Sequence, residues 1–176
     1  MTPPASDRPA APVATPLRVL PMEPPEFEAW LAAEVPGHAR AQVEAGRWTE
    51  AESLERARES LASLLPQGLA TPGHHLVRLR AADESEPDAD HDVGMLWFAE
   101  VTEAGRTGTY LYLIEIADAA QGRGHGAQAL AWLEARAREA AHAFLRLNVF
   151  AHNARARRLY ERAGFAETHV WMRKML

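Results

Sequence analysis

Residues 114 to 133 read IEIADAAQGRGHGAQALAWL, an apolar strand signal that passes through Gly122, Gly124 and Gly126 straight into a helix signal. Glycine in the first turn of a helix costs stability relative to alanine, so three of them point to something that must lie against bare backbone. A helix N-terminus offers unpaired amide N–H groups and a partial positive charge, and glycines ahead of it let those amides close on an anion with no Cβ in the way. A pyrophosphate suits that geometry. The candidate cradle is Gly122 to Ala127, with the cation of Arg123 beside it and His125 offering at least its backbone N–H. The motif alone is shared with dinucleotide and nucleoside triphosphate loops, and with a packing turn that holds no ligand. No Lys-Ser or Lys-Thr follows the last glycine, as a P-loop requires, and no repeated parallel strand-helix-strand pattern announces a dinucleotide fold.

A second kind of chemistry lies in the strand just before this loop. Glu115 is a carboxylate inside LYLIEIA, and burial at the end of an apolar strand would raise its pKa towards that of a useful base. An internal ion pair with a core arginine accounts for it equally well, and a chain of ordered waters could replace it as base. Tyr160 sits among Ala156, Leu159 and Ala163 at core spacing, so by itself it reads as a packed aromatic. Asn153 reads as a helix cap, and Arg155, Arg157, Arg158 and Arg162 as a solvated face with one of them within reach of a phosphate. His74 and His75 are adjacent, so on a strand they point to opposite faces, and no ligands recur at zinc spacing; no metal is expected. Their place after PQGLATPG would border the entrance to a site.

Those residues must be positioned by one domain. The chain has 176 residues, is 47% hydrophobic and carries a net charge of -5, which argues against a protein built to grip nucleic acid. It has no cysteine, no charged-then-apolar signal peptide and no apolar run approaching the roughly 20 residues that span a bilayer. A cytoplasmic protein acting without a membrane is the expectation. Residues 1–16 hold five of the twelve prolines and almost no large apolar side chain, and read as a flexible tail before a single domain over 17–176.

Within that domain, LRVLP predicts a strand and EFEAWLAAEV a helix. Thr49 with Glu52 forms a capping box ahead of a helix whose stripe is Leu54, Ala57, Leu61, Leu64 and Leu65, ended by Pro66. A strand follows near HLVRLRA, then the acidic run ADESEPDADHD as a solvated loop. VGMLWFAEV and TYLYLIEIA read as strands joined through TEAGRTG, the second apolar on both faces as in a covered central strand. A helix from Gly124 to about Ala141, a strand in FLRLNVF, a helix from about Ala154 to Ala163 ending at Gly164, and one or two strands in FAETHVWMRKML complete an α/β domain.

QGRGHGAQAL and LNVFAHNARARRLYERAGF together resemble the GNAT superfamily of acyl-CoA-dependent N-acetyltransferases. Gln121, Gly124 and Gly126 match the spacing of its pyrophosphate loop, and Asn153, Ala156, Leu159, Tyr160, Gly164 and Phe165 match its second signature. Asp118 departs from a common proline, which affects only turn stiffness. The resemblance implies a mixed, mostly antiparallel central sheet with a V-shaped splay between two parallel strands and helices on both faces. It implies that the pantetheine arm of acetyl-CoA enters the splay and pairs with backbone near Glu115, Ile116 and Ala117, and that a main-chain N–H near Ile116 polarises the thioester. It places Gln121, Gly122, Arg123, Gly124, His125, Gly126 and Ala127 at the phosphates, Asn153 on the pantetheine and the Tyr160 phenol at the coenzyme sulfur as acid. Acetyl-CoA is then the cosubstrate, with no metal, and the acceptor is a primary amine on a small molecule, a protein N-terminus or a lysine, reached by direct transfer in a ternary complex. A non-catalytic acyl-CoA-binding sensor or interaction module is the alternative, and a homodimer stays open.

Overall fold

The computed structural model describes residues 16–82 and 90–174; all of the expected tail but Pro16, and residues 83–89 of the acidic run, lie outside them. In chain order the elements are β1 (Leu17–Pro21), α1 (Pro24–Glu44), α2 (Glu50–Leu64), β2 (His74–Ala82), β3 (Asp90–Glu103), β4 (Arg106–Ile116), α3 (His125–Glu139), β5 (Leu145–Leu147) and α4 (Ala154–Arg162), with short 3-10 turns at Gly68–Ala70 and Asp118–Ala120. They form one five-stranded sheet in the order β1-β2-β3-β4-β5, antiparallel except where β5 runs parallel to β4.

Local chemistry accounts for most element ends. The Thr49 amide donates to Glu52 Oε1 at 3.1 Å in the expected capping box of α2, and Glu23 with Glu26 forms a second box, unforeseen, at the head of α1. α1 runs past the expected Val35 to Glu44, straight through Pro36. Pro36 and Ala32, whose carbonyl loses its partner there, are both exposed, so the freed carbonyl lies on the solvent side of the helix. In α2 the buried stripe is Ser53, Ala57 and Leu61, whereas Leu54 is 46% exposed, one position off the expected face. Ser53 can be buried because its hydroxyl donates to the Glu50 carbonyl at 2.9 Å. The β3–β4 connection is tighter than TEAGRTG suggested: strands pair up to Glu103 and Arg106, leaving Ala104 and Gly105, both at positive φ, as a two-residue turn. Asp90 to Asp92, expected in the acidic loop, instead begin β3, with Arg80 Nε 3.3 Å from Asp92.

Two other expectations fail at the far edge. FLRLNVF supplies only Leu145–Leu147 as strand, and residues 166–174 form none. Strand propensity needs a partner edge, and a three-residue β5 offers too little; Val170, Trp171 and Met172 stay exposed and Arg173 Nη1 donates to the Gly46 carbonyl at 2.7 Å.

The sheet separates two cores. One face packs Leu79, Val93, Leu96, Phe98 and Leu111 against Leu130 and Leu133 of α3 and Tyr160 of α4. The other packs Leu76, Met95 and Trp97 against Leu61 and Leu65, with Trp30 and Leu31 of α1. The β3–β4 register slips by one between Trp97 opposite Leu113 and Phe98 opposite Leu111, so Tyr112 is an extra residue in β4. As a result both Tyr112 and Leu113 pack with the α1/α2 side, while Leu111, Ile114 and Ile116 pack with the α3 side. Glu115 therefore falls on the α1/α2 side. Gly94 lets the strands approach there: a Cβ on it would stand 2.0 Å from the Glu115 carbonyl oxygen. Gly94→Ala should accordingly cost about 1–3 kcal/mol, read as a lower urea midpoint at unchanged m-value.

Candidate active site

At the head of α3 the glycines have separate tasks. Gly122 and Gly124 hold φ of +81° and +86°, and Gly124 is the N-cap of α3. Intrahelical bonding starts with Ala127 N–H and Gln128 N–H, which both donate to the Gly124 carbonyl. Among the described residues the amides of Gly122 through Gly126 donate to no backbone carbonyl. A Cβ on Gly122 would meet nothing within 4 Å, so the cradle is open on that side. Gly126 differs from expectation. Its missing Cβ faces Leu159 Cδ2 at 3.2 Å and Ile116 Cγ1 at 3.9 Å, so it lets α3 close on α4 and the end of β4 rather than on an anion.

The side chains of the loop brace it. Gln121 Nε2 donates to the Ile116 carbonyl and to Asp118 Oδ1, both at 2.8 Å, and its Oε1 accepts from Arg155. The amide thus ties the loop to β4 and to α4. His125, expected to offer only its backbone, turns its imidazole inward: it is 4% exposed with Nδ1 unpartnered. Burial first, then the charges of Arg123 and His91, hold its pKa below the usual histidine value, so it stays neutral near pH 7. Arg123 and Ala127 are exposed at the rim. Arg157 pairs with Glu167, so the α4 arginines are not a uniform solvated face.

The splay follows from β4. It pairs with β5 over Thr109 to Leu111 only, and beyond the bulge at Tyr112 it continues to Ile116 without a β5 partner. Ala117 N–H donates to the Val93 carbonyl at 2.9 Å, on the β3 side. Alternation along the strand then directs the Ile116 N–H into the opening. Ala117 contributes wall rather than a free amide. Tyr160, on α4, packs its ring edge-on against Phe165 at 5.8 Å, and burial pushes its pKa up to about 12. Its hydroxyl makes no hydrogen bond among the described residues and is not one of the buried unpartnered polar atoms, so it remains an available proton donor. Asn153 Oδ1 accepts from Ala156 N–H at 3.0 Å and caps α4.

On the other side of β4 lies a cavity of about 280 Å³ lined by residues that include Trp30, Gly94, Met95, Glu115 and Ala117. Glu115 is exposed there, not buried as its apolar context suggested, and forms no ion pair among the described residues. The other charges of the wall are matched: Arg78 holds Glu26 at 2.6 Å and Asp92 at 3.9 Å. Glu34, half-buried on α1 and not part of the cavity's lining, has its pKa raised to about 7 by burial and then by the charge of Glu115. Sequence reasoning missed it; the available signal was Glu26, Trp30 and Glu34 at successive steps of four along α1. His74 accepts from Trp97 Nε1 at 3.0 Å and His75 stacks on Phe98 across the sheet, so neither stands at this cavity's wall. No cluster of three metal-binding side chains occurs among the described residues.

Comparison with known proteins places this geometry. The family model described as Acetyltransferase (GNAT) family matches residues 39–165. The uncharacterized N-acetyltransferase YycN of Bacillus subtilis is 36% identical over 160 residues, 91% of this chain and 99% of that protein. The uncharacterized N-acetyltransferase YdgE of the same organism is 31% identical over 151 residues, covering 86% and 92%. The crystal structure of YycN matches with a TM-score of 0.80 over 91% of this chain and 98% of that one.

The Asn153 cap is separable from any ligand. Asn153→Ala should lower stability by about 1 kcal/mol in urea denaturation, and Asn153→Asp, which keeps the accepting oxygen, should restore most of it.

Proposed function

This chain belongs to the acetyltransferase (GNAT) family, and on that premise we propose that it transfers the acetyl group of acetyl-CoA to a primary amine by direct attack in a ternary complex. The observation that carries the reading is the row of backbone amides from Gly122 to Gly126, without backbone acceptors, at the N-terminus of a fifteen-residue helix beside the β4–β5 splay. That arrangement suits a pyrophosphate, and no Cβ at Gly122 or Gly124 obstructs it. Gln121 keeps the loop against β4, and Arg123 adds a cation at the rim.

The splay offers the thioester a place between Ile116 and α4. The Ile116 N–H donates to the carbonyl oxygen as negative charge develops there. Tyr160, neutral up to about pH 12, gives its proton to the departing thiolate. Asn153 serves the pantetheine only with donors its capping role leaves free. Glu115, at the acceptor cavity, draws in the ammonium form of the amine and takes its proton directly or through water. The acceptor is a small-molecule amine, a protein N-terminus or a lysine, met in the cytoplasm without nucleic acid or membrane. No helix among the described residues is long and apolar enough to cross a membrane.

Two variants test this. Gly124→Val should weaken acetyl-CoA binding at least tenfold by calorimetry, because a branched residue resists the positive φ that aims the amides; unchanged affinity in a folded variant would remove the cradle. Tyr160→Phe keeps the ring and deletes the hydroxyl. Its melting temperature and acetyl-CoA affinity should stay near wild type while turnover falls about 10²-fold. Normal turnover with lost stability would make Tyr160 a packed aromatic alone.

A further inference from the structure

Resting on the transfer reading above, we propose that His142 is a positioning residue for the coenzyme: its imidazole pins the start of β5 to β4 at the closed end of the splay, and so fixes the opening that the pantetheine arm must fit. Neither the cradle nor Tyr160 lies at this end of β4, so the ring acts on the site through the strands it joins.

Three contacts of one residue make the pin. His142 follows α3, and its N–H donates to the Ala137 carbonyl at 2.9 Å, which ties it to the end of that helix. Ring Nδ1 lies 2.7 Å from the Thr109 hydroxyl of β4, and Nε2 faces Glu100 Oε1 of β3 at 3.6 Å. A carboxylate only accepts, so it calls for the ring proton on Nε2, and in the neutral imidazole Nδ1 then accepts from the Thr109 O–H. Thr109 is also where the parallel pairing begins: its own N–H donates to the Phe144 carbonyl at 2.9 Å, and it stands opposite Leu145. One imidazole thus joins α3, β3 and β4 at the first rung of the β4–β5 ladder.

The surroundings leave the ring's position to these contacts. Ala141, which carries the chain into His142, holds φ of +56°, a left-handed conformation that a Cβ disfavours and that persists where neighbours fix it. A cavity of about 140 Å³, whose lining includes His75, Phe98 and Arg136, opens beside the ring, so packing on that side does not hold it. The His142 side chain is 8% exposed and Thr109 is buried, which makes their mutual bond costly to lose. The other ties at the base are looser. The Phe144 ring lies over Gly108, where a Cβ would stand 2.3 Å from Cε2, and apolar contact of this kind has no direction. Arg146 reaches Glu103 at 2.8 Å and the Tyr110 ring at 5.1 Å, but its side chain is half exposed and water screens the pair.

The consequence for the splay is mechanical. Thr109 to Leu111 pair with Leu145 to Leu147 and nothing beyond them does, so three residues set the angle at which β5 leaves β4. β5 leads on to α4 and Tyr160, and β4 leads on to Ile116. A ladder that frays at Thr109 lets these two walls shift against each other and changes the width the pantetheine arm meets.

Calorimetry with two probes separates this role from a general support of the fold. Acetyl-CoA spans the cradle and the splay, whereas adenosine 3′-phosphate 5′-diphosphate carries the pyrophosphate without the pantetheine arm. His142→Ala and Thr109→Val should each weaken acetyl-CoA binding about tenfold, the order of a lost buried hydrogen bond, and leave the nucleotide bound as in wild type. His142→Asn, whose amide keeps a polar atom at the place of Nδ1, should recover most of the affinity. The double variant should be no worse than either single one, because the two side chains act as one contact. Equal losses for both probes, or unchanged acetyl-CoA affinity in folded His142→Ala, overturn the proposal. If wild-type protein binds neither probe, the transfer reading fails on its own. The pin is then read by hydrogen exchange, where His142→Ala should speed the Thr109 and Ala143 amides about tenfold and leave the β2–β3 ladder unchanged; a uniform change, or none, overturns it.

Discussion

One extra residue in β4 organises both halves of this molecule. Tyr112 has no opposite number on β3, and a strand that carries a bulge bends and twists more sharply than its neighbours. The bulge follows immediately on Leu111, the last residue that pairs with β5. From that point the two parallel strands part, and the backbone of β4 on that side faces an opening in place of a ladder. The same insertion reverses the inward and outward sense of every later residue, sending Ile114 and Ile116 to the α3 side and Glu115 to the α1 side. A regular β4 would turn Glu115 towards the α3 side.

The two sides of β4 thereby acquire different electrostatics. On the α3 side, the proposed anion site consists of backbone amides and a helix N-terminus with Arg123 at the rim, while Arg155 and Arg157 are engaged by Gln121 and Glu167. Backbone donors carry no conformational entropy to be lost on binding, and the loop that aims them is held by Gln121 to both β4 and α4. On the α1 side the wall is carboxylate and aromatic, with its arginines already paired. In the proposed reaction the anionic coenzyme and the ammonium acceptor are received from opposite faces of this one strand.

Packing and chemistry overlap at several positions. Gly126 belongs to the loop motif, yet what it permits is the approach of Leu159 and Ile116, which brings α4 and hence Tyr160 to the end of β4. Tyr160 is both core and candidate acid, and the burial that makes it core raises its phenol pKa further, to about 12. Gly94 plays the same part on the other face, where close strand approach sets the cavity wall.

The sequence by itself determined the features that depend on contiguous residues. Positive φ at Gly122 and Gly124, the Thr49–Glu52 box, the Asn153 cap and the order of elements follow from local sterics and hydrogen bonding, which a short stretch of chain encodes. It also carried the family's two signatures in readable form. Tertiary structure alone decided the rest. TYLYLIEIA is apolar on both faces, so its alternation holds no parity from which a bulge could be read, and Glu115 had no assignable side. Glu34 lies eighty-one positions before Glu115, and its raised pKa exists only where folding buries it and sets it in the field of Glu115. The terminal strand signal failed for the same reason: a strand is a property of two chain segments, and its partner edge ended at Leu147.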